Sequence, residues 1–275
     1  MMARRKRTIK FIETGSIRDL QIVAGKDVMN IFPMHIHEKF CMGTIAKGQA
    51  ILECKNSTFP LSVENLYFLN AGEAHQIKPS DEEGFDHVVF CFGYEFLKNY
   101  FGPNKTAGFR FNTAVVYNHS LGQRFIDFYR LVINKDAEMN LEYELLDLLA
   151  EIYEFCSFTE CQIDGNKTSL EIITMACAFI KENCYKNLSL DELAAYAALS
   201  KFHFSRVFKE VMWISPYEFQ IQARIKLARD MLLNKESIAD VALTLGFNDQ
   251  SHFSRFFKRD TGLTPAEYTK MNIKV

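Results

Sequence analysis

The sequence is sparing with several residue types. It has one Trp, six Pro and 13 Gly among 275 residues. So little Pro and Gly excludes a collagen-like or low-complexity chain. No apolar run approaches the ~18 residues needed to span a membrane, so no membrane helix is expected. The first residues, MMARRKRTIKFIETG, carry charge but no apolar stretch. They do not read as a secretion signal, and the chain is expected in the cytoplasm. The cysteines (Cys41, Cys54, Cys91, Cys156, Cys161, Cys177, Cys184) are odd in number and lack CxxC spacing. Buried, reduced thiols are expected in place of disulfides or a zinc site. Nor is there an excess of one charge. The net is −2, which argues against a surface coated in nucleic acid.

What is present is apolar material for two cores. Hydrophobic residues make up 48% and the length exceeds that of a usual single domain. Charge is unevenly spread. From Asn166 onward there are 15 Lys+Arg against 12 Asp+Glu, a net of +3, while the preceding residues sum to −5. The basic bias at the C-terminal end hints at nucleic-acid contact.

Between Phe32 and Phe92 turn residues recur every eight to twelve positions: Gly43, Gly48, Asn56-Ser57, Pro60, Asn70-Ala71-Gly72, Pro79, Gly84. The runs between them, such as AILECK, NLYFL and HVVFCF, are rich in β-branched and aromatic residues. This spacing predicts a sandwich or barrel of short strands. His35 and His37 lie two apart and so share a strand face, and His75 follows in NAGEAHQI. The HxH, with Gly48 closing its motif, and the later G-x-x-H resemble the cupin β-barrel. Metal-binding cupins place a Glu shortly after HxH, where this chain has Phe40-Cys41-Met42. Three imidazoles can bind a divalent metal. Without the carboxylate, the adopted reading is a metal-free, cofactor-free pocket for a small effector, lined by His35, His37, Met42 and His75. Structural rim histidines are the alternative.

From Ser120 to Phe158 the apolar period becomes helical. Leu121, Phe125, Phe128 and Val132 share one face. Leu141, Leu145, Leu148, Leu149, Ile152 and Phe155 form a second stripe after a polar break at 134–140. Two such helices can cover the chain's own barrel or pair with a second subunit. The polar CQIDGNK, Cys161 to Lys167, reads as a linker.

The C-terminal portion repeats itself. HFSRVFK begins at His203 and HFSRFFK at His252, 49 residues later. Over the nineteen positions from Lys201 to Phe219, eight are identical at that offset. Upstream, LDELAAYAA has its counterpart in SIADVALTLG, with Ala242 answering Ala194. Each copy reads as a short alanine-bearing helix, a tight turn and a second helix, the pattern of a helix-turn-helix. Thr168-x-x-Glu171 and Ser189-x-x-Glu192 have capping-box spacing, so helices are predicted near Ser169 and Leu190, and Ser200 should cap the next. The run from Tyr217 to Leu233 predicts a connecting helix of ~25 Å. It could hold two recognition helices about one turn of DNA apart, roughly 34 Å.

Within each second helix the Phe pairs, Phe204/Phe208 and Phe253/Phe257, read as core. The predicted DNA face is Lys201, Phe202, Ser205, Arg206 and Lys209 in the first copy. In the second it is Gln250, Ser251, Ser254, Arg255 and Lys258. Arg suits guanine O6 and N7, and Lys suits phosphate. IADVALTLGFNDQSHFSRFFKRDTGLTPAEY closely resembles the signature of the AraC/XylS transcriptional regulators. The resemblance spans about Ser169 to Tyr268. It implies a base-facing role for the second, fifth and sixth residues of each recognition helix. These are Phe202, Ser205 and Arg206, then Ser251, Ser254 and Arg255. It also implies an effector-binding barrel, helices that dimerise and contact with RNA polymerase. One departure is Met212-Trp213, where the second copy has Thr261-Gly262; this leaves the exit of the first recognition helix without its glycine.

The expected fold is therefore an α+β multidomain chain. Residues 1–115 form a cupin-like barrel, 116–160 its two flanking helices as a dimerisation region and 161–167 a linker. Residues 168–275 form an all-α domain with helix-turn-helix units at 188–211 and 236–260. The expected protein is not an enzyme. It is a homodimeric activator that binds double-stranded promoter DNA in answer to a small molecule, such as an amino acid or other metabolite, and has no membrane partner. Arg4 to Arg7 read as a solvated tail.

Overall fold

A computed structural model describes residues 8–15, 17–29, 32–54, 57–63, 65–101, 110–134, 140–155 and 167–270. The basic residues 4–7 and most of the linker fall outside this set. The chain forms two compact units, one mainly from residues up to Gln162 and the other mainly from Ile163 onward.

The first unit is built on strands β1 (Thr8–Glu13), β2 (Leu20–Val28), β3 (His35–Ile36), β4 (Phe40–Gly48), β5 (Ala50–Cys54), β6 (Ser57–Leu61), β7 (Leu66–Leu69), β8 (Ala74–Pro79) and β9 (Phe85–Phe92). Helix α1 (Tyr94–Phe101) and the short β10 (Val115–Val116) follow. They make a six-stranded sheet in the order β1-β2-β9-β4-β7-β10 and a four-stranded sheet in the order β3-β8-β5-β6. Helices α2 (His119–Asn134) and α3 (Leu141–Phe155) complete the unit.

Strand alternation splits the large sheet into two faces. Phe40, Met42, Leu66, Phe68, Val88, Phe90 and Phe92 join Phe125, Phe128, Leu145, Leu149 and Ile152 in one apolar core. The Phe90 and Phe125 rings stack there at 4.0 Å between centroids. Burying each of these side chains contributes about 1.5–3 kcal/mol. The two predicted apolar stripes are thus used against the chain's own sheet. Phe155 is the exception, at 47% exposure.

Two expected turns are absent. Gly43 lies inside β4, paired with Tyr67 and Val89. A Cβ there would collide with the Tyr67 ring, so the glycine serves close packing. Pro60 lies in β6, a strand at the end of its sheet. An edge position tolerates the missing N–H.

The second unit is all helical among the described residues: α4 (Lys167–Glu182), α5 (Leu190–Tyr196), α6 (Lys201–Met212), α7 (Pro216–Leu233), α8 (Ile238–Thr244), α9 (Gln250–Thr261) and α10 (Pro265–Thr269). Helix α4 opens at Lys167, slightly before the expected start. Ser189 and Glu192 form the expected capping box, and Ser215 with Glu218 and Thr264 with Glu267 form two more that the sequence analysis did not name. Helix α7 packs against α4, α6, α8, α9 and α10, and so forms the spine of the unit.

Candidate nucleic-acid interface and ligand site

The two halves of the helical unit fold alike in backbone detail. In the first, the Leu199 N–H donates to the Ala194 carbonyl across the turn at 2.9 Å; in the second, Phe247 donates to Ala242 at 3.0 Å. Ala198 and Gly246 stand at the matching point with φ of 52° and 71°. Ser200 caps α6 by accepting from the His203 N–H, and Asp249 caps α9 by accepting from that of His252. Both helices leave through a left-handed residue, Trp213 at φ 61° and Gly262 at φ 79°. The missing glycine at the first exit therefore does not change its path. Trp213 adopts the same conformation, at a cost of roughly 1–2 kcal/mol for an L-residue.

Phe204, Phe208, Phe253 and Phe257 are fully buried, which leaves the opposite faces of α6 and α9 to solvent. Phe202, Arg206 and Lys209 are exposed on α6, and Gln250, Ser251, Arg255 and Lys258 on α9; Ser205 and Ser254 are half-buried beside them. Lys201 pairs with Asp191 at 2.8 Å, tying α6 to α5. Arg206 lies 3.8 Å from Glu210, both well exposed, a weak pairing that leaves the guanidinium available. Arg255 and Arg259 lie over the Phe256 ring, at 5.5 and 4.5 Å from its centre. Such stacking holds a guanidinium with fewer rotamers to lose.

The predicted ligand residues divide. The His37 and His75 rings lie 5.0 Å apart and tilted. His37 and His75 both lie in the first unit, and His35 is grouped with the second. His35 Nδ1 lies 2.8 Å from the Pro33 carbonyl and His75 Nδ1 lies 2.9 Å from that of Glu73. If both Nδ1 atoms carry the proton, each Nε2 keeps a lone pair for a ligand or a cation. Burial lowers the His35 pKa below the usual value. Met42 does not belong with them. Its side chain points to the other face of β4, into the core beneath the helices, because neighbouring strand residues alternate.

Sequence reasoning missed Tyr67. Its ring crosses Gly43. It is fully buried, and its hydroxyl has no hydrogen-bond partner among the described residues. Burial raises its pKa well above the usual value. Cys41 and Cys91 lie close by, paired across β4 and β9 with their sulfurs 3.4 Å apart. No local sequence signal announces it, because the register of β4 against β7 sets the pairing of Gly43 with Tyr67. A cavity of about 140 Å³ between Cys54, Phe59, Phe68, Asn70, Glu73 and Phe111 touches none of the predicted pocket residues. It is well below the size of an ordinary ligand pocket, about 300–1,000 Å³.

Family comparison joins these two halves. The AraC-like ligand binding domain matches residues 23–149, and a helix-turn-helix domain matches residues 193–271. The chain belongs to the AraC family of transcriptional regulators. It is 27% identical over 229 residues to the uncharacterized HTH-type transcriptional regulator YbfI of Bacillus subtilis, covering 82% of this chain and 83% of that one. It is 34% identical over 235 residues to the HTH-type regulator SACOL0084 of Staphylococcus aureus, covering 82% of this chain but only 31% of that longer protein. Among solved structures, ToxT of Vibrio cholerae in its unsaturated-fatty-acid-bound form shares the fold. The TM-score is 0.58 at 15% identity, over 98% of both chains.

This AraC-family protein thus has a DNA-binding helical unit and a β-rich ligand-binding unit. No described helix is long and apolar enough to cross a membrane. Two further residues escaped the sequence reading. Gln220 and Arg224, one turn apart on α7, are both buried. Arg224 donates to the carbonyls of Cys184, Lys186 and Gly246 at 2.6–2.8 Å, and Gln220 donates to Cys184 and Lys186. Together they satisfy the backbone of two turns, one in each half.

Proposed function

We propose that this regulator is an activator that reads two adjacent promoter half-sites through α6 and α9 and responds to a small carboxylate-bearing molecule. The duplicated, solvent-facing surface of α6 and α9 is the observation that carries the reading. Arg206 and Arg255 address guanine edges, while Lys209 and Lys258 address phosphate. Lys201, Ser205, Gln250, Ser251 and Ser254 complete the two faces. We take residues 1–115 as the sensing unit, 116–160 as the dimerisation helices and 168–275 as the DNA-binding domain, which also meets RNA polymerase.

Support for a homodimer comes from α3. Its outer face keeps Tyr143, Leu146 and Tyr153 exposed at three- and seven-residue spacing. A helix covering only its own sheet has no need of them. For the effector, His37, whose ring lies beside His75, supplies a ring N–H that can donate to it. The fatty acid named for ToxT and an amino acid share the carboxylate that such groups bind.

Binding to genomic fragments, including the protein's own upstream region, at two salt concentrations tests the reading. Footprints over about two helical turns should appear, weaken with salt and vanish in Arg206→Ala/Arg255→Ala. Binding indifferent to both arginines overturns it. The His37–His75 pair favours one second reading, in which a divalent cation is the signal. Chelator-treated protein titrated with Zn²⁺ or Ni²⁺, against His75→Ala, separates the two.

A further inference from the structure

Phe202 is the feature that the account of arginines and lysines leaves unused. It is 87% exposed, more than any other large apolar side chain described. It occupies the second position of α6, just after the Ser200 cap. That is where a recognition helix brings its side chains to base edges. One turn further along the same face lie Ser205 and Arg206. The ring therefore stands in a polar, cationic surface, and no packing within its own unit accounts for it. At the matching place α9 has Ser251, also exposed.

The edge of a base pair in the major groove is mostly polar, and its largest apolar group is the C5-methyl of thymine, where cytosine has only a hydrogen. An aromatic ring held at the front of a recognition helix buries the most apolar area by covering that group. We infer that Phe202 reads a thymine by contact with its methyl, and that the two halves of the protein recognise different half-sites at this register. The first requires thymine. The second, with the Ser251 hydroxyl, has no use for the methyl and accepts a hydrogen-bonding edge instead. Fixed orientation follows, since a site with its halves exchanged places thymine under the wrong helix.

This inference rests on α6 as a base reader, and the test keeps the two apart. Sites are first selected from randomised duplexes with the wild-type protein and with Phe202→Ser. A single thymine should be strongly enriched in one half-site for the wild type and lost for the variant. That thymine is then replaced by uracil, which removes only the methyl. Wild-type affinity should fall about fourfold, the worth of burying one such group. Phe202→Ser should be indifferent. Ser251→Phe should gain a thymine preference in the other half-site, a result that a merely structural role could not give. Because Phe202 is exposed, the variants are expected to fold, and circular dichroism checks that they do. If site-specific binding persists and still requires Arg206 but uracil costs nothing, the methyl contact is wrong and the reader assignment stands; if it persists without Arg206, both fall for α6. If no sequence is enriched by the wild-type protein, both fall.

Discussion

At the residue scale, backbone conformation makes the clearest demands. Gly246 has φ of +71°, and a Cβ there would come within 2.5 Å of the Tyr185 carbonyl oxygen. Gly246→Ala should therefore cost at least about 2 kcal/mol, strain and collision together, read as a lower urea midpoint. Arg224 is held buried by its carbonyl partners, and burial lowers its pKa. Arg224→Met removes the donors and leaves those carbonyls unpaired, at an expected cost of about 3 kcal/mol or more. His35 supplies a pH signature. Its pKa lies below the ordinary 6.5, because burial disfavours the charged ring. As pH falls, the unfolded chain takes up this proton before the folded one does. Stability should decline from about pH 6.5 down to the lowered folded value. Denaturation midpoints at pH 7.5 and 5.5 check this, and the difference should shrink in His35→Gln.

At the element scale, helices were more legible than strands. The caps at Ser189 and Ser200 are local chemistry, written within four residues of each helix start, and both are found in place, whereas Thr168 lies inside α4 and so does not stand at its N-cap. Strand faces depend on partners distant in sequence. Gly43 looked like a turn because nothing near it announces Tyr67 across the sheet, and Met42 looked like a pocket residue for want of its register. Gln220 and Arg224 were hidden for the same reason, since a polar side chain on a helix reads as exposed until its carbonyl partners are known. The outer stripe of α3 carries its own prediction. Leu146→Glu/Tyr153→Glu should turn a dimer into a monomer by light scattering. Both side chains are about 40% exposed, so the folded chain should lose little stability.

At the scale of the whole molecule, affinity and stability should separate. Arg206→Ala/Arg255→Ala removes two exposed cations, and thermal unfolding should stay within about 0.5 kcal/mol of wild type. DNA binding should nonetheless collapse, and any residual binding should have a shallower dependence on salt. Arg224 adds a consequence of another kind. One guanidinium closes the turn before α5 and the turn between α8 and α9. Opening either turn loosens the side chain that also braces the other, although each turn has its own bonds to it. Amide hydrogens in both halves should then exchange with solvent through one shared opening, at a single rate ceiling. Occupying a half-site under α9 should slow exchange in α6 as well, so that the first half-site found readies the molecule for the second.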